Sequence, residues 1–314
     1  MRRVSKRSSA GGAWKIAAVA AIAAAVYIGY QRIEGGATAG SVDLQAEAAI
    51  LVDASTGDVL YAKNADEPLP PASMSKMMTE ILVLDGIHEG TIKWNDKVTA
   101  TGYAAQVPGA RMGLSVGDVI TVRELFDAMT VYSANDAAVA LAEHIGGSEE
   151  TFVQRMNMRA ERIGLSPGAV FGNASGLSRA DIAPYAGAAA EKDSLLTAED
   201  TAKLAGYLIG KYPEVLDVTS RSSVKVPTSQ QALAATNWML KDKPFAYPGN
   251  DGLKTGYTPN AGYCFTGTAK RDGKRLISVV MGASSKEARF TETMALYDMG
   301  FEVEKRTIAA AVGK

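Results

Sequence analysis

The placement of short apolar runs near both ends of the region after residue 40 is the feature that most constrains the fold. Ala48–Val52 and Val59–Ala62 are apolar runs separated by a turn that contains glycine. Near the other end, Tyr263–Ala269 and Arg275–Gly282 flank Asp272-Gly273. An Asp-Gly pair between two apolar runs is a strong hairpin signal. Each end of this region therefore predicts one β-hairpin.

The residues between the two hairpins show the apolar spacing of helices rather than strands. This spacing predicts helices at Ala72–Gly86, Arg123–His144, Glu149–Ile163 and Thr197–Lys211, and a closing helix at Arg289–Gly300. The small residues of 180–193 predict a long loop. Strands at both ends with helices between them predict a mixed α/β fold. We expect one antiparallel sheet formed by both ends of the chain, with flanking helices and an inserted helical region.

Composition excludes several classes of protein. Lys+Arg (33) and Asp+Glu (34) nearly cancel, to a net charge of -1, so the basic surface that a nucleic-acid partner requires is not expected. The chain has two histidines and one cysteine, Cys264, which leaves little room for a zinc site, and no metal or other cofactor is expected. His88 and His144 each stand shortly before a glycine, where capping of a helix C-terminus is the simpler interpretation.

Basic residues are concentrated at the start of the chain. Residues 1–40 hold six basic residues and a single acid, Glu34, and an uncharged apolar run extends from Ile16 to Tyr30. This run is short for a bilayer span and suits the core of a signal peptide. Ala37-Thr38-Ala39 supplies the small-x-small pattern of a cleavage site. We expect residues 1–40 to be a signal peptide or an uncleaved N-terminal membrane anchor. The rest would then be exported, to the periplasm or the extracytoplasmic face of the cytoplasmic membrane.

A serine and a lysine three residues apart begin the first predicted helix. Ser73-Met74-Ser75-Lys76 places a hydroxyl and an amine on one helix face, about one turn apart. A helix N-terminus favours negative charge developing on the Ser73 oxygen. The Lys76 amine can accept the serine proton if burial or a nearby cation keeps it neutral. Alone the motif is weak, because serine is also a common helix cap and Ser222-Ser223-Val224-Lys225 has the same spacing without an expected function.

Two further motifs follow along the chain. Ser133-Ala134-Asn135 lies between two helical runs, and a hydroxyl and an amide on a turn can relay a proton and hold a substrate amide. Taken alone it is more simply a pair of capping residues before a helix. Lys254-Thr255-Gly256 precedes the Tyr263 strand, and its cation, hydroxyl and bare backbone suit a strand edge that receives a peptide carboxylate. In isolation these three residues are equally typical of a turn.

The order of the three motifs decides between these interpretations. Ser-x-x-Lys, Ser-x-Asn and Lys-Thr-Gly are the motif set of penicillin-binding proteins and class A β-lactamases. With its flanking residues, the chain resembles the low-molecular-mass penicillin-binding proteins, and in particular the serine D-alanyl-D-alanine carboxypeptidases, over roughly residues 45–303. The resemblance implies a β-lactamase/penicillin-binding-protein-like fold. It also implies peptidoglycan stem peptides as substrates and β-lactams as covalent inhibitors.

The resemblance implies a role for each residue of the first two motifs. Ser73 matches the acylated nucleophile, and Lys76 matches its general base. Ser133 matches the proton relay to the leaving D-alanine, and Asn135 matches a ligand of the substrate amide. The backbone N–H groups of Ser73 and Tyr257 would form the oxyanion hole. The implied reaction is removal of the terminal D-alanine from a stem peptide.

The third motif and a later arginine are implied to bind the substrate. Lys254 and Thr255 match contacts on the carboxylate side, with Gly256 beside them. Arg289 matches a family arginine that meets the terminal carboxylate. Tyr257 stands where well-known members have histidine, which predicts an altered rate or specificity.

These matches divide the chain into three predicted parts. Residues 1–40 are the signal peptide or anchor, residues 41–305 the serine D,D-peptidase catalytic domain, and residues 306–314 a C-terminal tail. Because the chain ends soon after the catalytic domain, we do not expect the second, β-rich domain or the C-terminal amphipathic helix typical of the family. The N-terminal run is then the segment expected to hold the protein at the membrane.

Alternative functions remain at this point. A D,D-endopeptidase acting on crosslinks would use the same residues, because the motifs fix the reaction and not the substrate length. A class A β-lactamase needs a Glu-x-x-Leu-Asn segment for deacylation, and the chain has none between Asn135 and Lys254. Gly113-Leu114-Ser115-Val116-Gly117 spells Gly-x-Ser-x-Gly, but its flanks do not predict the strand-turn-helix of a triad hydrolase. A wall-binding protein with an inactive site would be expected to have lost a motif residue, and none is lost.

Overall fold

The computed structural model describes residues 42–312, with side chains described to residue 302. The predicted signal peptide or anchor, residues 1–40, lies outside the described residues. Within residues 42–312, none of the helices has the length and apolar character that crossing a membrane requires.

One antiparallel five-stranded sheet forms the centre of the fold. Its strands are β1 Ala48–Asp53, β2 Val59–Lys63, β7 Asn250–Thr258, β8 Gly262–Arg271 and β9 Lys274–Ala283. Their order across the sheet is β2-β1-β9-β8-β7. β1 pairs with β9, with Ile50 opposite Val279, so the two terminal hairpins join edge to edge. The prediction of one antiparallel sheet built from both ends of the chain is confirmed.

Helices and two small hairpins fill the region between β2 and β7. The helices are α1 Lys76–Glu89, α2 Gly102–Gln106, α3 Val122–Tyr132, α4 Asn135–Gly146, α5 Glu149–Ile163, α6 Arg179–Ile182, α7 Ala198–Lys211 and α8 Leu216–Thr219. The short strands are β3 Lys97–Thr99 with β4 Val119–Thr121, and β5 Ser223–Val224 with β6 Leu233–Ala234. A last helix, α9, follows the sheet at Ala288–Val312.

The sheet separates two apolar layers because side chains alternate between its faces along each strand. Ile50 and Val279 belong to a cluster that packs against the inserted helices. Leu51 and Val280 belong to a second cluster, which includes Phe290 of α9. The central strands β1 and β9 are therefore covered on both faces, which explains their nearly uninterrupted apolar sequence.

Several boundaries differ from those predicted. α1 continues through Gly86 and ends at Glu89, because Gly90 (φ 74°) takes the left-handed C-cap position. The helical pattern over 123–144 forms two helices that meet at Ser133 (φ 69°), where the Ser-x-Asn motif was expected to form a turn. Part of the predicted 180–193 loop is the short helix α6. Helix α9 spans Ala288–Val312, whereas the closing helix was predicted over Arg289–Gly300.

Candidate active site

A serine and a lysine meet at the start of α1. A single 3₁₀ turn, Ala72–Ser75, leads into this helix and carries Ser73. The three-residue spacing places Lys76 one turn away, and its Nζ lies 2.8 Å from Ser73 Oγ. Lys76 is fully buried, whereas Ser73 is partly exposed. The predicted pairing of this hydroxyl and amine is therefore present in the structure.

The amine of Lys76 has two further acceptors. Nζ donates to Asn135 Oδ1 at 2.7 Å and to the carbonyl oxygen of Ser175 at 2.6 Å. Burial, and then the nearby Lys254 ammonium, lower the pKa of Lys76 well below its usual range. Three acceptors hold the amine in place while its surroundings make loss of a proton easy. This combination suits a group that accepts and returns a proton.

The junction between α3 and α4 brings the second motif to Lys76. Ser133 ends α3 in the left-handed region, and Asn135 begins α4. Asn135 Nδ2 donates to Pro108 O at 2.7 Å, so both ends of its amide have partners inside the protein. The next residue, Asp136, accepts the backbone N–H groups of residues 112–114. Asn135 therefore holds Lys76, and Asn135 and Asp136 together hold the loop that contains Pro108 and residues 112–114.

A loop that the sequence did not predict to be functional supplies the Ser175 carbonyl. Asn173 Oδ1 accepts the N–H groups of Ser175 at 3.1 Å and Gly176 at 2.7 Å. Gly176 has φ +80°, and a Cβ atom there would lie 2.1 Å from Ala72 O. Only glycine allows this approach to the Ser73 turn. The signal that could have found the loop is an Asn two residues before a Ser-Gly pair, which is typical of an Asx turn.

The third motif lies on β7, the edge strand beside the Ser73 turn. Residues 250–258 were not predicted as a strand of their own, although a strand edge was expected for the motif. A Cβ on Gly256 would lie 2.7 Å from Pro71 O and 3.3 Å from Ser73 N, so the bare backbone of β7 passes directly beside the serine. Thr255 Oγ1 donates to Thr236 Oγ1 at 2.7 Å.

Lys254 is a buried cation next to this edge. It is 1% exposed, and within the described chain the hydrogen bond of its Nζ is a long one, 3.4 Å to Thr255 O. Burial lowers its pKa to about 8, with the Glu80 carboxylate opposing and the Arg289 guanidinium adding to the shift. The motif therefore supplies a second positive charge that acts on Lys76.

Tyr257 lies on β7, and Arg289 of helix α9 contacts the same strand. Tyr257 is 50% exposed and stacks on Tyr263, with ring centroids 4.4 Å apart. Arg289 is 4% exposed, and its Nη1 donates to Gly256 O at 3.1 Å. Burial lowers the pKa of Arg289 to about 10. Arg289 therefore supports the backbone of the motif from within the core, and Tyr257 forms an open aromatic surface beside it.

The structure brings most of the predicted site residues together and leaves two weak motifs apart. Ser73, Lys76 and Asn135 share hydrogen bonds, and Gly256 contacts the Ser73 turn. The Gly-x-Ser-x-Gly segment 113–117 is loop and turn, as expected. Ser222–Lys225 lies around the two-residue strand β5.

Solved penicillin-binding proteins resemble this chain in fold and in sequence. Penicillin-Binding Protein D2 from Listeria monocytogenes, solved in an ampicillin-bound form, is 36% identical with a TM-score of 0.73, over 83% of this chain and 99% of that one. PBP3 from Streptococcus pneumoniae, described as a peptidoglycan synthesis regulatory factor, is 37% identical with a TM-score of 0.76, over 82% and 79%. The fold is that of the penicillin-binding proteins, as expected.

The family model described as D-alanyl-D-alanine carboxypeptidase, peptidase S11, matches residues 36–285. The chain therefore belongs to this family. The D-alanyl-D-alanine carboxypeptidase DacF of Bacillus subtilis is 38% identical over 82% of the chain. The chain spans 62% of the length of DacF and of DacC from Escherichia coli.

Proposed function

We propose that this protein is a serine-type D-alanyl-D-alanine carboxypeptidase that removes the terminal D-alanine of peptidoglycan stem peptides. The observation that carries the proposal is the 2.8 Å contact between Lys76 Nζ and Ser73 Oγ, made by a fully buried lysine whose pKa is lowered. A serine needs an adjacent base to act as a nucleophile near neutral pH. Family membership and the Lys-Thr-Gly edge beside the serine support the same reaction.

In the proposed acylation step, Ser73 Oγ attacks the carbonyl carbon of the penultimate D-alanine. The serine proton passes to the neutral amine of Lys76, which lies within hydrogen-bond distance. The carbonyl π electrons move to oxygen, and the backbone N–H groups of Ser73 and Tyr257 stabilise the resulting oxyanion. The close approach of β7 to the Ser73 turn at Gly256 supports this pairing of N–H groups.

Collapse of the intermediate breaks the C–N bond to the terminal D-alanine. Ser133 is assigned the relay that returns the proton to the leaving amine, because it adjoins Asn135, which contacts Lys76. Water then hydrolyses the Ser73 ester and restores the serine. Asn135 uses one lone pair of its oxygen for Lys76 and one N–H for Pro108 O. Its second N–H and second lone pair are left for a substrate amide, so it can hold the lysine and the substrate together.

The carboxylate side of the substrate is assigned to β7 and its neighbours. Lys254 supplies positive charge, Thr255 a hydroxyl and Gly256 the bare strand edge. The guanidinium of Arg289 lies behind Gly256 and adds a second positive charge to this side of the site. Tyr257 is half exposed on the same strand, which supports a contact with the peptide at the position where well-known members have histidine.

The same residues would accept β-lactams as covalent inhibitors, because a β-lactam presents a reactive amide and a carboxylate in one small molecule. Peptidoglycan lies outside the cytoplasmic membrane, so the proposal requires export. Residues 1–40 are the proposed signal peptide or membrane anchor.

The experiment that tests the proposal is incubation of the purified protein with a pentapeptide ending in D-Ala-D-Ala and, separately, with a crosslinked dimer. Products are followed by mass. Release of free D-alanine from the pentapeptide is expected. Faster cleavage of the dimer would identify a D,D-endopeptidase instead. Penicillin turnover within seconds would contradict both assignments and indicate a β-lactamase.

A further inference from the structure

Glu80 is a buried acid that the proposed reaction leaves without a role. It lies on α1 four residues after Lys76, so the two side chains share one helix face. Glu80 is 1% exposed, and its Oε1 has no hydrogen-bond partner within the described chain. Thr130 of α3 faces this carboxyl group, but its Oγ1 also lacks a hydrogen bond of normal geometry. A buried polar group without partners is unfavourable for folding, so its presence requires an explanation.

The charges around Glu80 belong to the candidate active site. Lys254 on β7 and Lys76 on its own helix both act on its carboxyl group. Burial raises the pKa of Glu80 to about 7, and these two ammonium groups and Thr130 oppose the shift. Asp136 on α4 acts on Lys76, and Arg289 on α9 acts on Lys254. Glu80 is therefore a buried acid whose charge acts on both lysines.

We propose that Glu80 is a positioning residue that sets how many protons Lys76 and Lys254 hold between them. The inference rests on the proposed function, in which Lys76 must be neutral to accept a proton while Lys254 must stay charged to attract a carboxylate. Two buried ammonium groups repel each other, and a carboxylate that acts on both lets a proton remain on Lys254. The acid thus allows the two lysines to hold different protonation states over the same pH range.

The effect of removing the charge has a definite sign. An ionised carboxylate favours the charged form of a neighbouring lysine. Glu80, with a pKa of about 7, is mostly ionised at the pH where Lys254, with a pKa of about 8, loses its proton. Loss of this carboxylate therefore lowers the pKa of Lys254 and moves the alkaline limb of the pH profile of acylation to lower pH. A role in packing alone would lower the rate at every pH without moving either limb.

The test is the pH profile of the acylation rate with a carboxylate-bearing fluorescent penicillin, on the full chain. Four proteins are compared: the wild type, Glu80→Gln, Glu80→Asp and Glu143→Gln. Glu143 is the matched control, because it is a half-buried acid on α4 whose pKa burial also raises, while its bonding partner is Thr101. Glu80→Gln is expected to move the alkaline limb to lower pH by about one unit or more. Glu80→Asp and Glu143→Gln are expected to retain both limbs.

If the Glu80→Gln variant does not fold, a second measurement on the wild type and Glu80→Asp tests the proposal. Infrared difference spectra of the wild type, recorded across neutral pH, should show a carboxyl band that titrates with Glu80 and is displaced in Glu80→Asp. An alkaline limb that stays in place in a folded Glu80→Gln protein would overturn this inference but not the proposed function. A carboxyl band that is identical in the wild type and Glu80→Asp would do the same. Failure of the wild type to label at Ser73 would overturn the proposed function, and this inference with it.

Discussion

Lys76 Nζ lies 2.6 Å from the carbonyl oxygen of Ser175, a residue ninety-nine positions further along the chain. Together with Ser73 Oγ and Asn135 Oδ1, this carbonyl completes three acceptors around one buried amine. Each acceptor comes from a different part of the chain, so the position of the proposed base depends on how three segments pack.

Ser73→Ala should abolish covalent labelling by a fluorescent penicillin, because the proposed nucleophile is then absent. Peptide mapping of the labelled wild type should place the adduct on Ser73. Ser115→Ala is the matched control, since it removes a serine from the exposed loop at 113–117 and should label at the wild-type rate. An adduct on Ser115 or Ser222 would contradict the assignment.

Acylation should become faster as the pH rises through the lowered pKa of Lys76, because only the neutral amine can take the serine proton. Below that pKa the rate should rise about tenfold per pH unit. Lys76→Met should nearly abolish acylation, whereas Lys203→Met, which removes an exposed amine bonded to Gly164 O, should leave it unchanged. A Lys76→Met protein that acylates at the wild-type rate would exclude the role.

Asn173→Ala should release the Ser175 carbonyl, because Asn173 Oδ1 accepts from Ser175 N, Ser175 Oγ and Gly176 N. We expect a loss of roughly 1–3 kcal/mol in the free energy of unfolding and a lower acylation rate. Denaturant unfolding and penicillin labelling measure the two effects.

The control for this prediction is Asn157→Ala. Asn157 bonds both backbone groups of Phe171 in the same loop but does not contact the site. It should reduce stability to a similar extent while the folded protein acylates normally. Equal losses of rate in both variants would show that the loop acts only through stability.

Gly256→Ala should place a methyl group 2.7 Å from Pro71 O and force β7 away from the Ser73 turn. We expect acylation to slow by about two orders of magnitude, since displacements near 1 Å at a reacting centre have effects of that size. Gly210→Ala is the control, because a Cβ there meets nothing within 4 Å, and alanine in helix α7 should be neutral or stabilising. Stopped-flow acylation of both variants decides the question.

Arg289→Ala should raise KM for the D-Ala-D-Ala pentapeptide by an amount equivalent to about 1.5–3 kcal/mol if the guanidinium meets the terminal carboxylate. A pentapeptide with an amidated C-terminus should show little difference between wild type and variant. Arg155→Ala removes an exposed arginine that bonds Ile145 O and serves as the control. Equal losses on the acid and the amide would indicate that Arg289 acts only by supporting Gly256.

The sheet could be predicted because the hairpins that form most of it have sequence signals within a few residues of their turns. Asp272-Gly273 and the apolar runs beside it define the β8–β9 hairpin without reference to the rest of the chain. β7 was not predicted as a strand because its residues, from Asn250 to Thr258, include two glycines and several polar side chains. Its strand conformation comes from pairing with β8, which the sequence of β7 alone does not reveal.

The side chains of the candidate site could be predicted, whereas the Ser175 carbonyl was not predicted. Ser73, Lys76 and Asn135 belong to motifs with chemical meaning, and a turn was expected at Ser133-Ala134-Asn135. The Ser175 carbonyl is a backbone group outside these motifs, and its only signal in the sequence is the Asx turn at Asn173. Glu80 stands among apolar residues in α1, where the sequence gives no sign of its two lysine neighbours.

The strand order has a consequence for how the protein is made. β1 is held by β9, and the Ser73 turn is completed by β7, so nearly the whole described chain must exist before either contact forms. Closing such large loops slows folding, because chain entropy is lost before the distant contacts can form. A ribosome-bound or prematurely ended chain would contain Ser73 and Lys76 without a working nucleophile. Covalent capture by penicillin would thus report that synthesis and folding are both complete.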